Sequence, residues 1–235
     1  RHLILEFETM KKHNFSAGPS ILPQEVFQQA AEALVNYNNS GLSILEISHR
    51  SQMFIDIMDE AIALVKKLLE LPDNYHPIFL SGGATSQFFM TAMNFLNEGE
   101  TAAFIDTGVW SIKAIKDAKL YGNIVKVASS EDQNYNYIPA LKEIPAAAKY
   151  LHLTTNNTIY GTQFHDIPVV DLPIIADMSS DIFSRKLDIE KYGVIYAGAQ
   201  KNTGAAGTTL VIIREDMLKM VKRDIPTMLK YENHI

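Results

Sequence analysis

Seven short apolar segments recur along the chain, most of them separated by stretches with helical or loop character. They predict strands near residues 77–80, 101–105, 123–128, 149–154, 173–177, 193–197 and 208–213. Short apolar strands with such crossovers indicate an α/β fold with a mostly parallel seven-stranded sheet and helices on both faces. The last two strands are joined by only about ten residues, which is too few for a helical crossover, so we expect that pair to be antiparallel.

Two helices are predicted before the first strand. The stretch from Pro23 to Tyr37 suits a helix because proline is favoured in a first turn and apolar residues recur along one face. Ser51 is predicted to cap a second helix, whose apolar stripe runs to Leu69.

Composition is that of a globular enzyme domain. The chain has 235 residues, of which 47% are hydrophobic and 20% charged, enough for a sizeable core. Its net charge of −6 argues against nucleic acid and anionic membrane surfaces as partners. The absence of cysteine excludes disulfides and suits a cytoplasmic location, and no apolar run has the length of a membrane span.

The first nine residues are interpreted as an extension or tag. They precede Met10, which resembles a natural start, and they are too short for a signal peptide. Residues 10–235 then form an N-terminal arm followed by one large domain.

A lysine and an aspartate stand where two of the predicted strands end. Asp177 closes the apolar run 174–177, and Lys201 follows small residues after the strand at 193–197. A pyridoxal-phosphate enzyme needs an amine to bind the cofactor aldehyde and a carboxylate to keep the pyridine nitrogen protonated. The pair is consistent with that chemistry, although a lysine beside glycine is also found in solvated turns.

Two further features lie at strand ends. The segment 81–87 (SGGATSQ) joins a strand to a helix, and its backbone N–H groups could bind a phosphate, although an ordinary turn has the same pattern. Trp110, the only tryptophan, follows the next strand and could either pack in the core or stack on a planar ring. Ligands of parallel sheets bind beyond the carboxyl ends of the strands, so we expect these residues to converge.

Six segments in order resemble the phosphoserine aminotransferase family, within the class V pyridoxal-phosphate aminotransferases. They are 14–19 (NFSAGP), 48–51 (SHRS), 82–87 (GGATSQ), 157–158 (NT), 176–180 (ADMSS) and 198–202 (GAQKN). The resemblance covers about residues 12–235 and implies the large domain of the type I pyridoxal-phosphate transferase fold. It departs at Ala205, where the family usually has proline.

The resemblance also implies the roles of individual residues. Lys201 would hold pyridoxal 5′-phosphate and then move the proton, and Asp177 would pair with the pyridine nitrogen. Trp110 would stack on the ring, Thr158 would bind its phenolic oxygen, and the phosphate would be bound by Ala84, Thr85 and Gln200. His49 and Arg50 would bind anionic groups of the substrate, although these two residues alone would fit a surface charge pair equally well.

The implied activity is amino transfer between L-glutamate and 3-phosphohydroxypyruvate in a homodimer. The family runs on for roughly another hundred residues that form a small domain, which would be absent here. Two alternatives therefore stay open: a truncated and impaired cofactor-binding fragment, and another class V aminotransferase. The lack of cysteine argues against a cysteine desulfurase.

Overall fold

The computed structural model describes residues 12–220 and 223–235, so the interpretation of the first nine residues and of Met10 lies outside the described residues. The α-helices are α1 (Gln24–Asn36), α2 (Gln52–Leu69), α3 (Ala84–Phe95) and α4 (Val109–Ala118). The strands are β1 (Tyr75–Ser81), β2 (Thr101–Asp106), β3 (Asn123–Ser129), β4 (Ala148–Thr154), β5 (Asn156–Asn157), β6 (Thr162–Gln163), β7 (Ile174–Asp177), β8 (Tyr192–Gly198) and β9 (Thr208–Arg214). Short 3₁₀ turns lie at 37–39, 44–46, 131–133, 189–191, 215–219, 227–229 and 231–234.

Seven strands form one sheet in the order β1-β9-β8-β7-β4-β2-β3, and β5 pairs with β6 in a small separate ladder. The pairs β8–β7, β7–β4, β4–β2 and β2–β3 are parallel. Strand β9 is antiparallel to both of its neighbours, β1 and β8. The predicted mostly parallel sheet and the antiparallel last pair are thus both confirmed. Six of the seven strands run in one direction, so their carboxyl ends share one edge.

Alternate residues of each strand enter two different cores, as the pleat of a strand requires. In β8, for example, Ile195 and Ala197 join one core while Val194 and Tyr196 join the other. Helices α3 and α4 cover the second core, and the carboxyl-terminal end of α2 reaches the first through Val65 and Leu69. Both faces of the sheet therefore carry helical cover, and the strands are apolar on both sides.

One local expectation needs correction. Ser51 occupies the position before α2, but its hydroxyl donates to the carbonyl of Ser48 at 2.8 Å and makes no cap hydrogen bond. Trp110, which was expected after a strand, lies in the first turn of a helix, because α4 begins at Val109 directly after the turn at Gly108. Glycine is required at that turn: φ is +138°, and an added Cβ would lie 2.5 Å from the Tyr160 ring.

Helix α1 lies in an N-terminal arm that makes few contacts with the sheet. The helix has no buried residue, and Phe27, Leu34 and Val35 on it are exposed. Among the described residues, no helix is long and apolar enough to cross a membrane.

Candidate active site

Asp177 forms the floor of a pocket at the carboxyl edge of the sheet. It is the last residue of β7, it is buried, and its Oδ1 accepts hydrogen bonds from the N–H of Ser179 at 3.0 Å and from its hydroxyl at 2.6 Å. Burial raises the pKa of the carboxyl group, whereas these hydrogen bonds and the charge of Lys201 oppose the rise. The carboxylate is therefore held in a site with little water, where a cationic partner is strongly favoured.

Lys201 enters the same pocket from the loop after β8. Its ammonium group donates to the hydroxyl of Thr158 at 2.6 Å and lies 5.4 Å from the centre of the Trp110 ring. Desolvation lowers the pKa of Lys201, and the negative charge of Asp177 opposes that shift. A lysine with a lowered pKa carries more of the neutral amine that attacks an aldehyde.

The turn between β1 and α3 forms the side of the pocket that is suited to bind an anion. Gly82 has a φ of +106°, and Gly83 precedes the first helical residue, Ala84. The first-turn N–H groups of a helix, here those of Ala84 and Thr85, have no acceptor within the helix. Because the helix dipole adds positive charge there, this end of α3 is suited to a phosphate group. Gln200 lines the pocket together with these residues.

Trp110 provides a flat apolar surface beside the lysine. Its indole N–H is buried and has no hydrogen-bond partner among the described residues, and the ammonium group of Lys113 lies 4.7 Å from its ring centre. The rigid start of α4 fixes the ring in place. A planar aromatic ligand can stack on such a surface.

Four other residues that line this pocket were not predicted from the sequence. They are Phe88, Thr154, Asn156 and Ser179. Thr154 and Asn156 stand at the carboxyl end of β4, which was the signal that could have identified them. Ser179 follows Asp177 by two residues, and only its hydrogen bonds in the folded chain reveal its relation to the carboxylate.

The N-terminal arm crosses over the lysine loop. The N–H of Ser20 donates to the carbonyl of Gln200 at 2.9 Å, and the Ser20 hydroxyl donates to the carbonyl of Lys201. An added Cβ at Gly18 would lie 3.0 Å from the Lys201 side chain. The segment 14–19 thus lies beside the site because glycine permits the close approach.

His49 and Arg50 do not line this pocket within the chain. Both side chains are exposed, in the turn that precedes α2. Their assignment to the substrate stays a prediction, because the geometry brings neither of them to the pocket.

The residues present fit pyridoxal phosphate. An amine, a buried carboxylate, an aromatic plate and a helix N-terminus surround one pocket, and the hydroxyl of Thr158 contacts the amine. The buried Thr154 hydroxyl and the Trp110 indole N–H have no partner among the described residues, which leaves polar groups free to meet a ligand. Such a constellation can bind an aldehyde covalently, hold an aromatic cation and move a proton.

The aminotransferase class-V family model matches residues 12–225. This chain belongs to that family. Among its relatives, the phosphoserine aminotransferase of Flavobacterium johnsoniae is 56% identical over 227 residues, which are 96% of this chain and 64% of the relative. That of Lysinibacillus sphaericus is 52% identical, with 96% of this chain and 63% of the relative covered.

Solved structures give the same result for the fold. Phosphoserine aminotransferase from Bacillus circulans subsp. alkalophilus superposes with a TM-score of 0.89 at 46% identity, covering 94% of this chain and 62% of that one. The pyridoxal-phosphate-bound enzyme of Trichomonas vaginalis also gives 0.89, at 38% identity, covering 94% and 63%. This chain therefore spans about two thirds of the length of the proteins it matches.

Proposed function

We propose that this chain is the cofactor-binding part of a phosphoserine aminotransferase. The single observation that carries the proposal is the position of the Lys201 ammonium group, 2.6 Å from Thr158 Oγ1, in a pocket that Asp177 and Trp110 also line. The relatives named above support the choice of reaction.

Pyridoxal 5′-phosphate would occupy the pocket in one orientation. Its phosphate would lie at the start of α3, bound by Ala84, Thr85 and Gln200, because this is the end of the pocket that attracts an anion. Its ring would stack on Trp110, and its aldehyde would meet Lys201.

Asp177 and Thr158 would fix the electronic state and tilt of the ring. Asp177 would bind the protonated pyridine nitrogen from the floor of the pocket, and Thr158 would bind the phenolic oxygen. When bound, the cofactor supplies an electron sink for the charge left at the substrate α-carbon. The amine of Lys201 would take the proton from that carbon and deliver it to C4′ of the cofactor.

The proposed substrates are L-glutamate and 3-phosphohydroxypyruvate, and the products are 2-oxoglutarate and O-phospho-L-serine. The pathway would be serine biosynthesis, with a second role in pyridoxine biosynthesis through 4-phosphohydroxy-L-threonine. We further propose a cytoplasmic homodimer that binds small-molecule substrates, without nucleic-acid or membrane partners.

The second candidate is a cofactor-binding fragment with impaired catalysis. One observation favours it: His49 and Arg50 are exposed outside the pocket. In this case pyridoxal phosphate would bind, but the substrate would lack the groups that hold its carboxylate and phosphate.

A fusion with part of a relative separates the two candidates. The extended protein is this chain fused to the segment of the Flavobacterium johnsoniae relative that it does not match. We expect both forms to bind pyridoxal phosphate with quenching of Trp110 fluorescence, and the extended protein to form O-phosphoserine from glutamate. If the turnover of the 235-residue chain equals that of the extended protein, the second candidate, a fragment with impaired catalysis, is excluded. Competition by alanine rather than by O-phosphoserine would indicate another class V aminotransferase.

The phosphate specificity of the substrate can be tested at Arg50. In the extended protein, Arg50→Ala should lower kcat/KM for O-phosphoserine far more than for glutamate, because a phosphate dianion loses a bidentate donor. Loss of a charged partner in a desolvated site costs on the order of 2–5 kcal/mol. Lys67→Ala, which removes another exposed cation, is the control. Equal losses of kcat/KM for both substrates would mean that Arg50 does not bind the phosphate group of the substrate.

A further inference from the structure

We infer that Ser179 is a positioning residue that turns the carboxylate of Asp177 toward the pocket and holds it there. The inference rests on the proposed function, because it concerns the contact between Asp177 and the pyridine nitrogen of the cofactor.

Both hydrogen bonds from Ser179 reach the same oxygen of the carboxylate. The backbone N–H of Ser179 lies 3.0 Å from Oδ1 of Asp177, and the hydroxyl lies 2.6 Å from it. In the part of the chain that the structure describes, no side chain or backbone group donates to Oδ2. The second oxygen is therefore left available for a donor on a ligand in the pocket that Asp177 lines.

The direction of the hydroxyl proton is itself determined by the sheet. The N–H of Gly198, the last residue of β8, donates to Ser179 Oγ at 3.1 Å. An oxygen that accepts this bond keeps its own proton for another acceptor, and the near acceptor is Asp177 Oδ1. Ser179 thus connects the strand that ends at Asp177 with the strand that leads to Lys201.

The hydrogen bond from the Ser179 hydroxyl affects both the charge and the orientation of the Asp177 carboxylate. Hydrogen bonds to an ionised carboxylate stabilise its charged form, whereas burial destabilises it. Burial raises the pKa of Asp177 and the bonds from Ser179 oppose that rise. Without the hydroxyl, the carboxylate would be both less firmly oriented and more readily protonated, and its contact with a pyridinium N–H would weaken.

A pair of cofactors isolates this contact from general effects on binding. Equilibrium dialysis of the 235-residue chain should measure the affinity for pyridoxal phosphate and for its carbocyclic analogue, in which C–H replaces the ring nitrogen. The analogue keeps the phosphate, the aldehyde, the phenol and a planar aromatic ring. The intrinsic differences between the two aldehydes are the same for every variant, so a change in the affinity ratio between variants reports on the contact with Asp177. The ratio of the two affinities is the readout, and it does not depend on turnover.

We expect the wild type to prefer pyridoxal phosphate and Ser179→Ala to lose about tenfold of that preference, in keeping with one hydrogen bond to a charged group. Ser179→Thr, which retains the hydroxyl, should restore it. Ser184→Ala is the matched control, because the Ser184 hydroxyl donates to the carbonyl of Asp181 at 2.6 Å and does not contact Asp177. Should Ser179→Ala fail to fold, Ser179→Cys replaces the hydroxyl with a slightly larger thiol that is a weaker donor, and it should show a loss in the same direction.

The pH dependence of the ratio gives a second readout. The groups that face the carboxylate are Lys201, Asp181 and Tyr196, and they are unchanged in Ser179→Ala. Since the carboxylate is lost as pH falls through its pKa, and the variant has the higher pKa, its preference should decline at a higher pH than in the wild type.

Three other outcomes would each contradict a different part of this argument for Ser179 and Asp177. A full preference in Ser179→Ala, with an unshifted pH dependence, would overturn the role of Ser179 and leave the proposed function intact. A wild type that binds both cofactors equally would overturn the contact between Asp177 and the nitrogen, and with it this inference. A wild type that binds neither would overturn the proposed function as well.

Discussion

At the level of single residues, the site is built from groups whose protonation is controlled by burial. Desolvation raises the pKa of Asp177 and lowers that of Lys201, and the charge of each opposes the shift of the other. Perturbed groups of opposite type that share a pocket are typical of catalytic sites. These two side chains are therefore the candidates for the proposed chemistry.

Replacing the lysine tests its chemical role. Lys201→Ala should lower glutamate-dependent amino transfer by the extended protein at least about a hundredfold, the lower range for a positioned acid–base group. Thermal stability should change little, because Lys201 is only half-buried and belongs to no core. Absorbance of the bound cofactor after addition of glutamate measures the first, and a melting curve the second. Lys116→Ala, at an exposed position of α4, should leave both unchanged; retained transfer in Lys201→Ala would contradict the assignment.

Acid sensitivity should arise from His152, a buried residue outside the pocket lining. Its Nε2 lies 2.9 Å from the Tyr196 hydroxyl, and complete burial lowers its pKa to about 3. Below its normal pKa of about 6.5 the unfolded chain binds a proton that the folded chain does not, so stability falls as pH falls. The loss at pH 5 relative to pH 8 should be roughly 2 kcal/mol from this group.

The measurement is urea unfolding of wild type and His152→Gln at both pH values. Glutamine can still bond Tyr196 but does not titrate, so the variant should lose less stability on acidification. An equal loss in both proteins would show that His152 binds its proton as readily in the folded state as in the unfolded state, and would contradict the assignment.

At the level of elements, the turns that follow the strands place the reacting groups. The turn from β2 to α4 brings Gly108 against the end of β5 and the loop that follows it. An added Cβ would lie 2.5 Å from the Tyr160 ring and 2.8 Å from the side-chain amide nitrogen of Asn157. Any side chain at this position would have to displace that loop or the start of α4, and Trp110 would move with it.

Gly108→Ala should therefore destabilise the protein by roughly 3 kcal/mol, combining the left-handed backbone with overpacking. Gly161→Ala is the matched control, since φ is +73° there but nothing lies within 4 Å of an added Cβ. It should cost about 1 kcal/mol. Urea unfolding followed by Trp110 fluorescence measures both, and equal losses would contradict the steric argument.

At the level of the whole molecule, α1 presents an apolar face that no described residue covers. Phe27 is 49% exposed and Val35 is 82% exposed, and the helix has no buried residue. Exposed apolar surface of this kind is typical of a protein interface, and a second copy of the chain is the proposed partner.

Sedimentation velocity of the extended protein tests this assignment. The wild type should sediment as a dimer, and Phe27→Asp should weaken association about tenfold or more, as expected for an apolar anchor at an interface. Gln28→Asp, one residue along the same helix, adds the same charge and should have a smaller effect. A stable wild-type monomer with cofactor bound would contradict the dimer.

The element order and the chemical class of the site could be predicted from the pattern of residues. Strand ends can be recognised because apolar runs stop abruptly. Asp177 stands at such an end, and Lys201 and Thr85 follow one within a few residues. Parallel strands bring their carboxyl ends to one edge, so convergence follows without coordinates. The antiparallel last pair followed from a connection too short for a crossover.

By itself, then, the sequence determined the α/β class and the antiparallel direction of the last two strands, but not the order of the strands in the sheet. It also predicted which lysine and which aspartate form the candidate site. Only the tertiary structure decided which side chains orient them: the hydrogen bonds from Ser179 and Gly198, the approach of Gly18 to Lys201, and the exposure of His49 and Arg50. The physical reason is range. Apolar periodicity is a local property of the chain. A hydrogen bond between residues far apart in sequence needs a donor–acceptor distance correct to within a few tenths of an ångström, and only the packed sheet establishes that distance.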